Sequence, residues 1–221
     1  MEAKISVIIP AHNEEKQIQR VIKTIRGKDI VNQIIVVDTA STDRTQKLAR
    51  QAGAEIVECP QKGKGYAMEK GLKCANNGIV VFIDGDIANY SKDLIYKLAN
   101  PIINNEADFV KSMFERQGGR VTELVAKPML DILFPDIYKF SQPLSGMIAA
   151  KKSLLDKIEF EKDYGVDIGI LLDVIALGAR VEEAHIGKLN NISQKWQALE
   201  EMSKQVMKAI LKRANRNNDK N

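Results

Sequence analysis

The stretch Ile79-Val80-Val81-Phe82-Ile83-Asp84-Gly85-Asp86 decides the fold class of this chain of 221 residues. Its first five residues are apolar and mostly β-branched, which predicts a strand buried on both faces of a sheet. The strand leads directly into two carboxylates separated by one glycine. In an open α/β sheet, ligands bind beyond the carboxyl ends of the strands, so Asp84 and Asp86 lie where a ligand is expected.

These carboxylates have a chemical interpretation and a purely structural one. Two acids at a strand end can hold a hard divalent cation through oxygen, and the cation can carry a diphosphate. Gly85 lets a phosphate or a sugar approach the backbone closely. The same Asp-Gly-Asp triplet is also good turn chemistry, and a plain turn is the alternative.

Strands and helices alternate on both sides of this stretch. The hydrophobic pattern predicts early strands at residues 5–9, 34–37, 54–57, 79–83 and 107–113. Helices are expected after each of the first four strands, which predicts a mostly parallel, doubly wound α/β sheet with helices on both faces. Later segments are less regular, with strands expected at 145–150 and 180–186 and helices at 121–134, 164–177 and 196–210.

The domain organisation follows from this pattern. We expect a nucleotide-sugar-binding half at residues 1–115, an acceptor-binding half of the same domain at 116–212, and a disordered polar tail at 213–221. The apolar stripe on the last helix favours a core or dimer seam over a ligand site. A homodimer is therefore compatible with the sequence. The stripe comprises Trp196, Leu199, Met202, Val206 and Ile210.

Composition excludes several classes of protein. The net charge of +4 suits anionic substrates without requiring nucleic acid, and an aromatic content of 5% argues against stacking platforms for single strands. Cys59 and Cys74 lack metal-ligand spacing, which indicates reduced thiols and a cytoplasmic protein. We also expect no signal peptide and no membrane span.

Three strand ends converge on one crevice in the predicted sheet: residues 10–14, Asp38, and residues 84–86. They carry acids and amides, and neither a G-x-G-x-x-G fingerprint nor a P-loop lysine motif is present. This excludes a typical dinucleotide dehydrogenase or P-loop NTPase. Lys64 lies between two glycines in an expected flexible basic loop, where it is either a mobile cation for a phosphate or sugar or a solvated surface lysine.

In this pattern the sequence resembles GT-A-type glycosyltransferases of the family-2 kind. The resemblance is carried by Val7–Glu15, Ile35–Asp38, Gly63–Gly65 and Asp84–Asp86, in that order and spacing. It covers the first half of the chain. It implies the GT-A fold and a nucleotide-diphosphate sugar that is bound with Mg²⁺ or Mn²⁺ through an Asp-x-Asp motif.

The second half is similar to glucosyl-3-phosphoglycerate synthases. The similar segments are Gly119–Pro128, Phe134-Pro135, Gln142–Gly146 and Tyr164–Gly169. In that family the Gly-Arg-Val-Thr loop holds the phosphate of 3-phosphoglycerate. A guanidinium with a hydroxyl and a backbone amide suits phosphate in any case, although Arg120 is also compatible with a surface arginine after a glycine turn.

The resemblance implies a role for each matching residue. Asp167 and Lys64 are the candidate catalytic residues, and Asp86 and Asp84 are the candidate metal ligands. The nucleotide-sugar site is assigned to Pro10, Ala11, Asn13, Glu14, Asp38, Thr39, Lys64, Asp84 and Gly85. The acceptor site is assigned to Gly119, Arg120, Val121, Thr122 and Tyr164.

Three positions depart from the family pattern. Asn191 aligns with the histidine that is the family's third metal ligand, and its amide oxygen would add no charge to the site. His185 is the alternative third ligand. Asp167 replaces the usual glutamate, and Asp38-Thr39-Ala40-Ser41 replaces the usual Asp-Ser-Gly-Ser.

The expected activity is metal-dependent, retaining transfer of a hexose, with glucose favoured. The donor would be a UDP- or GDP-hexose, and the acceptor a small phosphorylated molecule such as 3-phosphoglycerate. Two alternatives stay open: a polyprenyl-phosphate sugar transferase, and a sugar-nucleotide-binding protein that has lost catalysis.

Overall fold

A computed structural model describes residues 3–87, 89–115, 119–137, 140–189 and 196–218. Within these residues seven strands form one sheet in the order β3-β2-β1-β4-β6-β5-β7. All neighbouring pairs are parallel except those of β6, which runs antiparallel to β4 and to β5. The strands are β1 Ile5–Ala11, β2 Val31–Asp38, β3 Glu55–Glu58, β4 Ile79–Phe82, β5 Phe109–Glu115, β6 Ile148–Lys151 and β7 Val181–Lys188.

The predicted mostly parallel α/β architecture is confirmed, with helices covering the sheet. The expected helix at 121–134 is instead a π-helix at Thr122–Ala126 followed by an α-helix, and the short helix α6 was not predicted. The helices are α1 Ile18–Ile25, α2 Thr45–Gln51, α3 Lys64–Cys74, α4 Leu94–Ile103, α5 Lys127–Leu133, α6 Lys152–Leu155, α7 Val166–Ala176 and α8 Trp196–Asn218.

The sheet separates two hydrophobic cores, and the stretch around β4 contributes to both. Val80 and Phe82 pack into one core, and Val81 and Ile83 into the other. Each of these four side chains is at most 1% exposed. Successive side chains of a strand point to opposite faces, so an unbroken apolar run fits a strand covered on both sides.

The prediction of a disordered tail at residues 213–221 is wrong for the first part of that segment. Helix α8 continues to Asn218, and Arg213 is buried. Its guanidinium donates to Asp173 and Glu161 at 2.9 Å each, which fastens α8 to α7 and to the loop before it. The polar sequence did not predict this contact, because arginine is usually exposed. An arginine that is paired with two carboxylates can nevertheless be buried.

The prediction of a flexible basic loop is also wrong at Lys64, because α3 begins at that residue. Gly63 and Gly65 lie against the backbone of residues 161–162. A Cβ on Gly63 would lie 2.2 Å from the carbonyl oxygen of Lys162, and one on Gly65 would lie 1.7 Å from that of Glu161. The glycines therefore serve close packing, which fixes the position of Lys64.

No helix among the described residues is both long and apolar enough to cross a membrane. The two cysteines, Cys59 and Cys74, are free thiols.

Candidate active site

A crevice of about 580 Å³ lies at the carboxyl ends of β1 and β4 and extends to α8. Parallel strands that end at one edge bring residues distant in sequence together there. Of the residues predicted for the site, the crevice is lined by Pro10, Ala11, Glu14, Thr39, Lys64, Asp84, Gly85, Asp86, Gly119, Arg120, Val121, Thr122, Tyr164 and Asp167.

Carboxylates crowd one wall of the crevice. Burial, together with the charges of Asp86, Asp43 and Asp84, raises the pKa of Glu14 to about 7. Burial and the charge of Asp84 also raise the pKa of Asp86. Neighbouring negative charges that disfavour the ionised forms of Glu14 and Asp86 mark a place where positive charge is favourable.

This wall suits a divalent cation. Asp84 and Asp86 offer hard oxygen ligands, with Glu14 close behind, and Mg²⁺ is commonly held by one or two carboxylates plus phosphate oxygens of the substrate. Among the residues that the structure describes, no three acidic, histidine or cysteine side chains form a complete ligand set. The donor diphosphate would supply the further oxygens.

Of the two candidates for a third protein ligand, one lies outside the described residues and the other lies outside the crevice lining. Asn191 lies outside the described residues. His185 lies exposed on β7 and is not among the residues that line the crevice.

Tyr90 fixes the backbone at Asp84. Its buried hydroxyl donates to the carbonyl oxygen of Asp84 at 2.9 Å and accepts from the amide of Asp84 at 3.1 Å. This residue was not predicted from sequence, because a tyrosine six residues after Asp84 belongs to no motif.

Lys64 links the two acidic parts of the crevice. Its ammonium lies 3.2 Å from a carboxylate oxygen of Asp84 and 2.9 Å from one of Asp167. Burial works against the charge, but these two carboxylates outweigh it and raise the pKa of Lys64, which stays protonated. Gly146 makes room for the ammonium, because a Cβ there would lie 2.1 Å from it.

Asp167 lies in the first turn of α7 and is 6% exposed. Burial raises its pKa, against the opposing charges of Lys64 and Lys111. Its second oxygen, Oδ1, is buried and accepts no hydrogen bond from the described residues. An unpaired buried oxygen on the crevice wall can accept a hydrogen bond from a ligand hydroxyl.

The predicted acceptor residues form the opposite wall. Arg120 is exposed at the crevice mouth, and its guanidinium carbon lies 4.8 Å from the ring centre of Trp196. Thr122 is buried at the start of the π-helix, and Tyr164 is exposed. The arrangement places the Arg120 cation over an indole ring at the mouth of the crevice.

Helix α8 supplies a wall that sequence reasoning missed. Leu199, Met202, Gln205 and Val206 line the crevice, although the apolar stripe favoured a core or dimer seam. Val206 and Ile210 do belong to the core, so that interpretation holds for part of the stripe. A period of 3.6 residues reveals an apolar face but not which part of it borders a cavity. The crevice is further lined by His12, Lys62, Gly63, Ala67, Leu144 and Asp163.

Two residues predicted to bind the nucleotide sugar lie outside the lining. Asn13 does not cap α1; its side-chain oxygen accepts from the Thr42 amide at 2.8 Å. Asp38 is 1% exposed and accepts from the Ser41 amide and from Gln46. Asn13 joins the loops after β1 and β2, and Asp38 holds the loop after β2 to the start of α2, so both have supporting contacts.

The sequence matches the family model "Glycosyl transferase family 2" over residues 6–157. A glucosyl-3-phosphoglycerate synthase of Mycobacterium tuberculosis is 36% identical over an alignment of 237 residues with gaps. The alignment covers 95% of this chain and 73% of that protein.

Solved structures of the enzyme from Mycobacterium tuberculosis are similar as well. One, in complex with Mn²⁺, UDP-glucose and phosphoglyceric acid, has a TM-score of 0.91 and 37% identity, covering 96% of this chain and 80% of that one. Another, in complex with Mg²⁺ and UDP, gives the same TM-score, identity and coverage.

Proposed function

Because this chain belongs to glycosyl transferase family 2 and is homologous to the glucosyl-3-phosphoglycerate synthases, we propose that it transfers glucose from UDP-glucose to 3-phosphoglycerate. The observation that carries the proposal is one crevice lined both by Asp84 and Asp86 and by Arg120 and Thr122. A cation-holding acid pair suits a nucleotide diphosphate, and an arginine with a hydroxyl suits a second, separate phosphate.

The donor would occupy the wall formed by β1, β4 and the start of α3. Asp86 and Asp84 would hold Mg²⁺ or Mn²⁺, which when bound offsets the charge of the departing diphosphate. Lys64, already protonated, provides a second positive charge within reach of the same diphosphate. Pro10, Ala11 and Thr39 line the part of the crevice left for the nucleoside.

The acceptor would lie between Asp167 and Arg120. Arg120 and Thr122 would bind its phosphate, and Oδ1 of Asp167 would accept a hydrogen bond from the hydroxyl that attacks the sugar. Proximity and electrostatic stabilisation then supply most of the catalysis, and the proposal assigns no covalent nucleophile. We propose retention of the anomeric configuration on the strength of the family relationship.

Two further assignments belong to this proposal. The free thiols of Cys59 and Cys74 suit the reducing cytoplasm, where we place the protein. A homodimer stays a prediction, which light scattering of the purified chain would check.

The Arg120→Ala variant tests the acceptor side. A charge-assisted contact to phosphate contributes roughly 1.5–3 kcal/mol, so its loss should raise the KM for 3-phosphoglycerate by about ten- to a hundredfold. The Kd for UDP with Mg²⁺, measured by calorimetry, should stay within about threefold. Arg20→Ala removes an exposed arginine of α1 outside the crevice lining and is the matched control.

An unchanged KM for 3-phosphoglycerate in Arg120→Ala would contradict the acceptor assignment. A raised Kd for UDP with an unchanged KM would move Arg120 to the donor side.

A further inference from the structure

Lys111 is a buried lysine for which the proposed mechanism has no use. It lies in the middle of β5 and is 0% exposed. Its ammonium donates one hydrogen bond, at 3.1 Å, to the main-chain carbonyl oxygen of Asp167. Within the described part of the chain it forms no ion pair, so a buried cation is left with only one partner.

The charges facing this ammonium come from four elements. Asp167 on α7, Glu183 on the neighbouring strand β7 and Asp84 beyond β4 favour the charged form, and Lys64 on α3 opposes it. Burial outweighs them and lowers the pKa of Lys111 to about 8. An apolar residue would cost less at a site of this kind, so stability alone does not account for a lysine here.

The partner of Lys111 is the residue whose charge the reaction needs. Asp167 and Asp84 share Lys64 as an ion-pair partner. Once Lys64 contacts a diphosphate, its interaction with Asp167 weakens. Lys111 is then the remaining positive charge beside the carboxylate, and it lies behind the crevice wall, where the substrate does not displace it.

We propose that Lys111 is a positioning residue for Asp167. Its ammonium holds the first turn of α7 through the Asp167 carbonyl and keeps the Asp167 carboxylate ionised while Lys64 serves the diphosphate. This inference rests on the proposed function, in which Asp167 orients the hydroxyl of the acceptor.

The variant Lys111→Met removes the charge and keeps the length of the side chain. We expect kcat to fall at least about tenfold, because the acceptor hydroxyl loses its oriented partner. The KM values for UDP-glucose and 3-phosphoglycerate should stay within about threefold. The melting midpoint should be unchanged or higher, because an uncompensated buried charge has been removed. Lys151→Met, on the adjacent strand β6 and paired with Asp108, is the control and should leave kcat unchanged.

The pH profile of kcat tests the same inference independently of the size of kcat. The Lys111 charge lowers the pKa of Asp167, so with Mg²⁺ present Lys111→Met should shift the acid limb of the kcat profile to higher pH, while the Kd for UDP stays as in the wild type. Lys151→Met should keep the wild-type acid limb.

Three results would overturn the inference: a Lys111→Met variant whose acid limb coincides with that of the wild type, one with full kcat, or one that fails to fold, which would make the lysine structural. An absence of turnover in the wild-type chain would instead contradict the proposed function, so the two failures are distinguishable.

Discussion

Asp86 and Glu14 lie in a cluster of acids that the protein only partly compensates. Burial and the charges of neighbouring acids raise the pKa values of Asp86 and Glu14, and Lys64 forms its ion pair with Asp84. Such a cluster is unfavourable by itself and becomes favourable when a cation is bound. Active sites commonly retain such locally destabilising groups of charges because function requires them.

The variant Asp86→Asn tests this account at the level of one residue. The change keeps the shape and removes one charge, so turnover should fall by at least about a hundredfold as the cation is lost. The melting midpoint should hold or rise, since repulsion with Asp84 is relieved. Asp156→Asn, at an exposed i, i+4 ion pair with Lys152, is the control. Normal turnover in Asp86→Asn, or in wild-type protein with excess chelator, would contradict metal dependence.

Individual residues differ in how far the sequence could predict them. The placement of Asp84 and Asp86 followed from a strand end, whereas the glycines on either side of Lys64 suggested a flexible loop where the structure begins α3. Lys111 and Tyr90 could not be predicted in the same way, because their importance depends on burial and on partners distant in the chain. Lys111 meets Asp167, which is 56 positions away, only after β5 and α7 have packed together.

Among the elements, the start of α3 is held in place by close backbone contact with residues 161–162. Gly65 allows the first turn of α3 to contact the backbone at Glu161, and the same loop leads through Asp163 and Tyr164 into α7. Lys64 and Asp167 are therefore aligned by backbone contact as well as by their ion pair.

The variant Gly65→Ala should break this alignment. Its Cβ would lie 1.7 Å from a carbonyl oxygen, which forces α3 and the loop apart. Overpacking of this kind costs about 1–3 kcal/mol in the free energy of unfolding, measurable by urea titration, and kcat should fall with it. Gly78→Ala is the matched control, because a Cβ there meets no atom within 4 Å. Equal stability and kcat in the two variants would contradict a tight contact.

Element boundaries show where local patterns were insufficient. The strands of the sheet were predicted to within a few residues, and the signal was clearest for β2 and β4, where an unbroken apolar run ends at an aspartate. Helix α8 was predicted too short, because Arg213 looks solvent-exposed in sequence and is buried by Asp173 and Glu161. Tertiary ion pairs of this kind leave no periodic signal.

At the scale of the whole molecule, the proposed donor and acceptor walls are parts of one sheet and its covering helices. Strands β4 and β5, from residues 1–115, pair with β6 and β7, from residues 116–212. Residues from both ranges line the same crevice. The division into a nucleotide-sugar half and an acceptor half stays a prediction that the Arg120 and Asp86 variants address separately.

The most direct test of the central claim offers competing acceptors to the purified chain. UDP-glucose and Mg²⁺ would be incubated with equal amounts of 3-phosphoglycerate and a short-chain polyprenyl phosphate, without detergent or membrane, and the products identified by mass spectrometry. The account predicts one hexose on 3-phosphoglycerate for each UDP released, and none on the lipid phosphate. Transfer only to the lipid phosphate, or binding of UDP with no transfer at all, would contradict it.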